Sequence, residues 1–346
     1  MAEARPPRLS AVVICYRDAK AIPLMHRRLT DVFSALAVDY EIIFVNDGSP
    51  DDTDAVLQEL TANDGHVLAI EHSRNFGSQN AFLSGMQLAT GDAVILLDGD
   101  LQDPPEVIPA FYEHWRQGHD VVYGCRAKRE GSRVLAFFCK VFYRLFRRFS
   151  AVPMPLDAGD FSLLDRKVVD ELLALPETDQ FLRGLRAWVG FRQTGVDYVR
   201  PQRAFGRSTH GWLKNVWWAK KGIFSFSFLP IELLGYAGAA LTVLSFLAVV
   251  YQIVDSLRRP EIPHGLSTII VLIAFFGSLN LLGIAILGEY LVKVLEESKR
   301  RPRFIRKAVR QGAEHFNTPA ALASFLEARK TARRPPSGQS SNESAR

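Results

Sequence analysis

AVILLDGDLQDPPE, residues Ala93–Glu106, sets two carboxylates and a carboxamide directly behind a run of aliphatic residues. An apolar run bounded by Gly91-Asp92 and Asp98-Gly99 predicts an inner strand of a parallel sheet. Open α/β sheets hold their ligands at the carboxyl ends of such strands, where Asp98 and Asp100 fall. If the chain stays extended, alternation projects Asp98, Asp100 and Gln102 to one side. Three oxygen donors without Cys or His beside them suit a hard cation, Mg2+ or Mn2+, that also takes ligands from substrate phosphates. Two other readings fit the same spacing. One is a solvated turn whose side chains bond their own backbone; the other is a phosphohydrolase whose first Asp attacks phosphorus. In that second pattern a Thr or Val stands where this chain has Gln102.

Around this strand, Ala11–Tyr16, Tyr40–Asn46, Val67–Glu71 and Asp120–Tyr123 are predicted strands. Between them, Pro23–Leu36, Asp54–Leu60 and Gln79–Ala89 are predicted helices, the first with Leu24, Leu29, Val32, Phe33 and Leu36 on one face. Asp51–Thr53 offer N-caps, and Pro104-Pro105 open a further helix where a missing N–H costs least. Alternating strands and helices imply βαβ units and a mostly parallel sheet. Asp47 ends its strand as Asp98 does, which favours a nucleotide site over two idle turns. Arg126, Arg129 and Arg133 follow a strand end and suit a bidentate grip on phosphate, whereas the later arginines to Arg148 read as a solvated helix face. Asp157–Leu164 is a strand or turn in which Asp160 is either a turn former or a candidate base. A helix over Gln180–Gly190 and a strand over Gln193–Val199 lead to Arg200, Arg203 and Arg207, a loop able to close over anions or to meet anionic lipid.

The 346 residues are 48% hydrophobic with a formal net charge of +5. Their mean hydropathy of +0.02 averages two unlike parts. The basic excess lies after Lys214 and points to a membrane surface, with no nucleic acid as partner. Cys15, Cys125 and Cys139 have no paired spacing, so neither a disulfide framework nor a zinc site is implied. The early apolar run Ala11–Cys15 is too brief for a signal peptide, which keeps the first domain on the side where it is made. Residues 210–229 mix Trp and Phe with Lys, the composition of an interfacial amphipathic helix. Ile231–Val254 and Leu266–Leu291 each reach roughly 36 Å as helix, enough to cross a hydrocarbon core of about 30 Å. Basic flanks on both outer ends place both ends in the cytoplasm. The expected domains are therefore 1–209 catalytic, 210–229 interfacial, 230–292 a two-helix transmembrane hairpin, and 293–346 a basic cytoplasmic tail disordered at its end, with Pro319–Lys330 a short helix within it.

Six ordered motifs carry a family resemblance: VNDGSPDDT, SRNFGSQNA, DGDLQDPPE, GDFSLLDRKVV, FLRGLRAWVGFRQT and GIFSFSFLP. From about Ser10 to Pro302 the chain resembles the bacterial polyprenyl-phosphate glycosyltransferases of glycosyltransferase family 2. The resemblance implies a GT-A fold, an α/β Rossmann-like domain followed by interfacial and transmembrane helices. It implies inverting transfer of a hexose, glucose, from a nucleotide-sugar donor, UDP-linked, to a polyprenyl phosphate lipid at the inner membrane. It further implies that Asp47 contacts nucleobase or ribose and that Asp98, Asp100 and Gln102 hold Mg2+ or Mn2+ with the diphosphate. Asp160 matches the catalytic base, Arg126 the acceptor-phosphate arginine with Arg129 and Arg133 near it, and Arg203 the donor-diphosphate arginine. Tyr16 and Asp18 are what remains of the opening Pro-x-Tyr-Asn-Glu-Glu motif, while Arg207 stands beside the place of a lost lysine. A homo-oligomer, a tetramer, is expected.

Two rivals differ in sequence requirements. A processive glycan synthase needs Gln-x-x-Arg-Trp, and here Gln180-Phe181-Leu182-Arg183 is followed by Gly184. A membrane scaffold that binds nucleotide-sugar without turnover is the non-enzymatic alternative that the altered opening motif allows.

Overall fold

The computed structural model describes residues 6–126, 158–177, 181–201, 229–258 and 266–332. Nine strands form one sheet in the order β7-β5-β6-β4-β1-β2-β3-β8-β9. The strands are β1 (Arg8–Cys15), β2 (Asp39–Asn46), β3 (Val67–His72), β4 (Ala93–Asp98), β5 (Val121–Arg126), β6 (Ala158–Asp165), β7 (Gln193–Tyr198), β8 (Arg306–Gln311) and β9 (Glu314–Phe316). The helices are α1 (Ile22–Leu36), α2 (Thr53–Asn63), α3 (Ser78–Leu88), α4 (Ile108–Arg116), α5 (Arg166–Ala174), α6 (Leu182–Trp188), α7 (Leu229–Arg258), α8 (Leu266–Ser298) and α9 (Pro319–Ala332).

The central pairs β1/β2, β1/β4 and β2/β3 are parallel, as the alternation of strands and helices predicts. β6 runs antiparallel between β4 and β5. Central strands buried on both faces are apolar almost throughout: Val12, Val13, Ile42, Phe44, Ile95 and Leu97 are all fully enclosed. On α1 the buried face is Ile22, Met25, Leu29, Val32 and Phe33. Leu24, expected on that face, is 42% exposed: it stands five residues before Leu29, whereas Met25, four before it, falls on the buried face.

The segment after α8 departs from expectation. Read as part of a basic tail, it instead returns to the sheet: β8 pairs antiparallel with β3, and β9 pairs with β8. Only Ala308 and Val309 of β8 are buried, so the strand carries almost no hydropathy signal. Its charges are matched across the edge, with Lys307 Nζ 2.5 Å from Glu71 and Arg310 2.6 Å from Asp54. The helix expected near Pro319–Lys330 is α9, and its Arg329 reaches Glu41 of β2 at 2.6 Å.

The chain divides into two compact units, one holding the sheet with the returning segment from Arg301, the other holding α7 and α8. Both predicted spans are helical. Among the described residues one stretch, Phe275–Ser298 with mean hydropathy 1.6, is long and apolar enough to cross a membrane by length and composition. The interfacial segment 210–228 lies outside the described residues.

Candidate active site

The carboxyl ends of three central strands, β4, β1 and β2, come together. In register, Ile14 of β1 faces Asp98 of β4, and Cys15 faces Asn46 of β2. Gly99 N–H donates to Ile14 O at 2.8 Å and Asp47 N–H to Cys15 O at 3.1 Å, tying the turns after β4 and β2 to β1. A Cβ at Gly99 would stand 2.7 Å from that Ile14 oxygen, so the approach requires glycine.

Leu101 has φ of 62° and a buried side chain. A left-handed conformation is costly for a residue with a Cβ and persists only where the surroundings enforce it. Its consequence is that the chain turns after β4 instead of running on extended. The expected single row of Asp98, Asp100 and Gln102 is therefore broken: Asp100 Oδ1 accepts the Gln102 N–H at 3.0 Å, and Gln102 Nε2 donates to Pro201 O at 3.3 Å. The turn brings in Asp103, which the sequence reading passed over. Its Oδ2 accepts the Asp98 N–H at 3.4 Å and its Oδ1 accepts the Tyr198 hydroxyl at 2.9 Å. Tyr198 closes β7 and is the buried residue of that strand; alternation along β7 was the signal that could have found it.

Charge is concentrated here. Burial pushes the Asp98 carboxyl well above the ordinary range, and Asp103, Asp100 and Asp160 add to the rise, with Arg200 opposing. The Asp98 side chain nevertheless keeps 32% of its surface open, and Arg200 is 4.0 Å away. Burial likewise raises Asp103, against the pull of Arg200 and the Tyr198 hydrogen bond. Among the described residues no three His, Cys, Asp or Glu side chains are arranged to hold a metal by themselves. Carboxylates that burial and mutual repulsion oppose are relieved by a divalent cation, and Asp98 and Asp100 supply hard oxygen donors. The residues thus fit a cation whose remaining ligands come from a diphosphate.

Asp160 sits opposite, within electrostatic reach of Asp98. Arg183 grips it bidentately, Nε to Oδ1 and Nη2 to Oδ2, both at 2.9 Å. Gln79 Nε2 adds a 3.4 Å contact, while Gln79 Oε1 accepts the Leu182 N–H at 2.9 Å and fixes the start of α6. Burial raises the Asp160 carboxyl, but Arg183, with Arg186 and Gln79, outweighs it and holds the group below its ordinary value. Arg186 is buried, which draws its guanidinium down to about 10. Arg126, Arg186 and Arg200 each keep a buried Nε without a hydrogen-bond partner. Unmatched guanidinium donors around a cleft are suited to phosphate oxygens. Arg183 and Arg186 were quoted in the sequence only as part of a motif, without a role.

Of the residues expected at the donor, Asp18 is buried and its Oδ2 accepts the Tyr16 N–H at 3.1 Å, closing the turn after β1. Asp47 is committed more fully: Oδ1 lies 2.8 Å from His72 Nδ1 and accepts the Phe76 N–H, and Oδ2 accepts the Gly77 N–H. The adjoining Gly48 has φ of 62°, and a Cβ there would lie 2.4 Å from the Arg74 carbonyl carbon. Gly48→Ala is accordingly expected to cost about 1–3 kcal/mol, read as a lower urea midpoint at unchanged m. Arg129, Arg133, Arg203 and Arg207 lie outside the described residues.

Comparison with known proteins follows the same direction. A family model described as "Glycosyl transferase family 2" matches residues 10–173. The uncharacterized glycosyltransferase YkcC of Bacillus subtilis is 39% identical over 86% of this chain and 92% of its own length. The bactoprenol glucosyl transferase of Shigella phage SfV is 37% identical over 88% of this chain and 99% of its own. Among solved structures, a mannosyltransferase of Pyrobaculum calidifontis in complex with GDP-Man and Mn2+ aligns over 84% of this chain and 88% of its own, with 16% identity and a TM-score of 0.42. A likeness that loose carries nothing over to this chain.

Proposed function

The chain belongs to glycosyl transferase family 2 and is a glycosyltransferase, and on that premise we propose that it transfers glucose from UDP-glucose to a polyprenyl phosphate, with inversion, at the cytoplasmic membrane face. The observation that carries this reading is the meeting of the carboxylates Asp98, Asp100 and Asp103 with Arg126, Arg186 and Arg200, whose buried Nε atoms lack partners, near the carboxyl ends of the central strands. The first suits a cation–diphosphate and the second a phosphate. The near full-length match to a bactoprenol glucosyl transferase supports the acceptor and the sugar.

In this reading a phosphate oxygen of the lipid attacks the anomeric carbon as the bond to the nucleoside diphosphate breaks, so configuration inverts. Mg2+ or Mn2+ held by Asp98 and Asp100, with Gln102 near them, would neutralise the charge on the departing diphosphate. Arg200 beside Asp98 lies at the same charge centre, and Arg126, within electrostatic reach of Asp103, would orient the attacking phosphate. Asp47, with His72, fixes the loop 73–77, and Tyr16 and Asp18 in the turn after β1 would contact the donor. Asp160 is held as an anion by Arg183 and serves to orient that guanidinium. The acceptor phosphate is its own nucleophile, with a second pKa of about 6, and needs little help from a base.

That assignment has a distinguishing outcome. Asp160→Asn is expected to lower kcat by about a hundredfold through loss of the Arg183 clamp while leaving the acid limb of the pH–rate profile in place. Were Asp160 the base, the variant would abolish that limb.

The chain topology supports a two-span anchor. β7 precedes both long helices and β8 follows them, yet both strands belong to one sheet. The chain between them must begin and end on the same side of a membrane, so crossings come in an even number. If Phe275–Ser298 crosses, α7 is its partner. Tetrameric assembly completes the reading.

Membranes containing the protein, incubated with polyprenyl phosphate and labelled UDP-, GDP- and dTDP-sugars, test the whole. Divalent-dependent label in the lipid from UDP-glucose is expected. Silence across the panel sinks the reading in favour of a non-catalytic scaffold.

A further inference from the structure

We propose that Phe304 and Arg306, on the segment that follows α8, are positioning residues of the donor loop 73–77, acting through His72 and Asp47. The proposal rests on the donor-side reading of Asp47 given above.

The loop in question joins β3 to α3, and the returning segment contacts both of those elements. At its start, Ser73 N–H donates to Ile305 O at 3.0 Å, and His72 pairs with Arg306 across a bulge. Beyond the loop, Arg306 holds the C-terminal half of α3: Nε donates to Ser84 Oγ at 3.1 Å, and Nη2 donates to Ser84 O at 2.8 Å and Gln87 Oε1 at 3.0 Å. The same short stretch of chain therefore holds the start of the loop and the helix into which the loop leads. Burial draws the Arg306 guanidinium down to about 10, as expected of a cation enclosed between two elements.

His72 is the centre of this arrangement. Its side chain is fully enclosed, one ring nitrogen lies 2.8 Å from Asp47, and the other is buried without a partner. Phe304 stacks on the imidazole with ring centres 5.5 Å apart and planes 8° from parallel. Phe76 meets it edge-on at 5.7 Å. An imidazole with one satisfied nitrogen needs its orientation set by packing, and the two phenyl rings set it. So oriented, His72 holds Asp47, and Asp47 accepts the Phe76 and Gly77 N–H groups at 2.9 and 2.8 Å. From Gly77 the chain enters α3, whose Gln79 touches Asp160. The stack of Phe304 is thus transmitted along hydrogen bonds to the loop and toward the reacting centre. None of these residues needs to touch substrate for that role.

Phe304→Leu keeps apolar volume and removes the ring, whereas Phe304→Tyr keeps the stack. In the full-length protein, Phe304→Leu is expected to raise the donor KM about tenfold with kcat within about twofold, and to speed exchange of the Phe76 and Gly77 amides about tenfold. Phe304→Tyr is expected to restore both, and Arg306→Gln to produce the same two shifts independently. Wild-type KM and wild-type exchange in both Phe304→Leu and Arg306→Gln overturn the proposal. So does exchange that quickens equally in β1 and β2, since that reports general loosening of the domain. An inactive wild-type protein would instead count against the transferase reading, while the exchange measurement would still decide the role of Phe304.

Discussion

Asp98→Asn is expected to lower kcat/KM about a thousandfold while the thermal midpoint stays level or rises. Both halves have one cause. In the folded chain this carboxyl is pushed well above its ordinary value by burial and by Asp103, Asp100 and Asp160. A carboxyl raised on folding opposes stability at every pH above its unfolded value of about 3.9. The amide is nearly isosteric and carries no charge, so it removes that cost, and with it the oxygen donor that a cation would require. Differential scanning fluorimetry with and without Mn2+ and UDP separates the two effects. Wild type should be stabilised by the pair together; Asp98→Asn should start at least as stable and gain little.

Glu41→Ala is expected to destabilise the domain by about 3–5 kcal/mol. Glu41 is almost fully buried in β2. Its Oε1 accepts from Ser10 Oγ at 2.6 Å and from Thr90 N–H and Oγ1 at 2.7 and 2.9 Å, and its Oε2 meets Arg329 at 2.6 Å and Arg8 at 3.6 Å. Truncation would leave Arg329, itself buried, without its counter-charge and would orphan three donors. Burial raises the Glu41 carboxyl, but Arg329, Ser10, Thr90 and Arg8 together hold it below its ordinary value. Its contribution is therefore complete above an unfolded pKa of about 4.3 and is lost as the pH falls through the lower folded value. Urea midpoints from pH 7 down to pH 3 should show that acid loss in wild type and a shallower one in Glu41→Gln. Because Arg329 lies on α9, the same variant should also free the end of the chain to exchange faster.

How far the sequence could be read depended on what the signal was made of. The parallel core was legible because β1, β2 and β4 are buried on both faces and therefore almost uniformly apolar. The carboxylates at its edge were legible because Asp98 follows such a run directly. What followed was not, because Leu101 adopts a conformation that no periodicity announces. That one residue replaces an extended row with a turn and brings Asp103 beside Asp98. The pairing of Asp160 was hidden for a similar reason. Its partner Arg183 is 23 positions away, and only the fold brings the two side chains into a bidentate pair. β8 escaped notice because its stability comes from matched charges at a sheet edge and from two small buried residues, a pattern that in sequence resembles a basic tail. The His72–Phe304 stack depends on that strand and was hidden with it.

The most direct test of the central claim is a crystal structure of the protein with UDP and Mn2+, with the ion located by its anomalous scattering. The account predicts Mn2+ at about 2.1 Å from carboxylate oxygens of Asp98 and Asp100 and from diphosphate oxygens of the nucleotide, taking octahedral ion distances as the guide. Nucleotide bound elsewhere, with Asp98 and Asp100 facing solvent and no anomalous peak beside them, would contradict it.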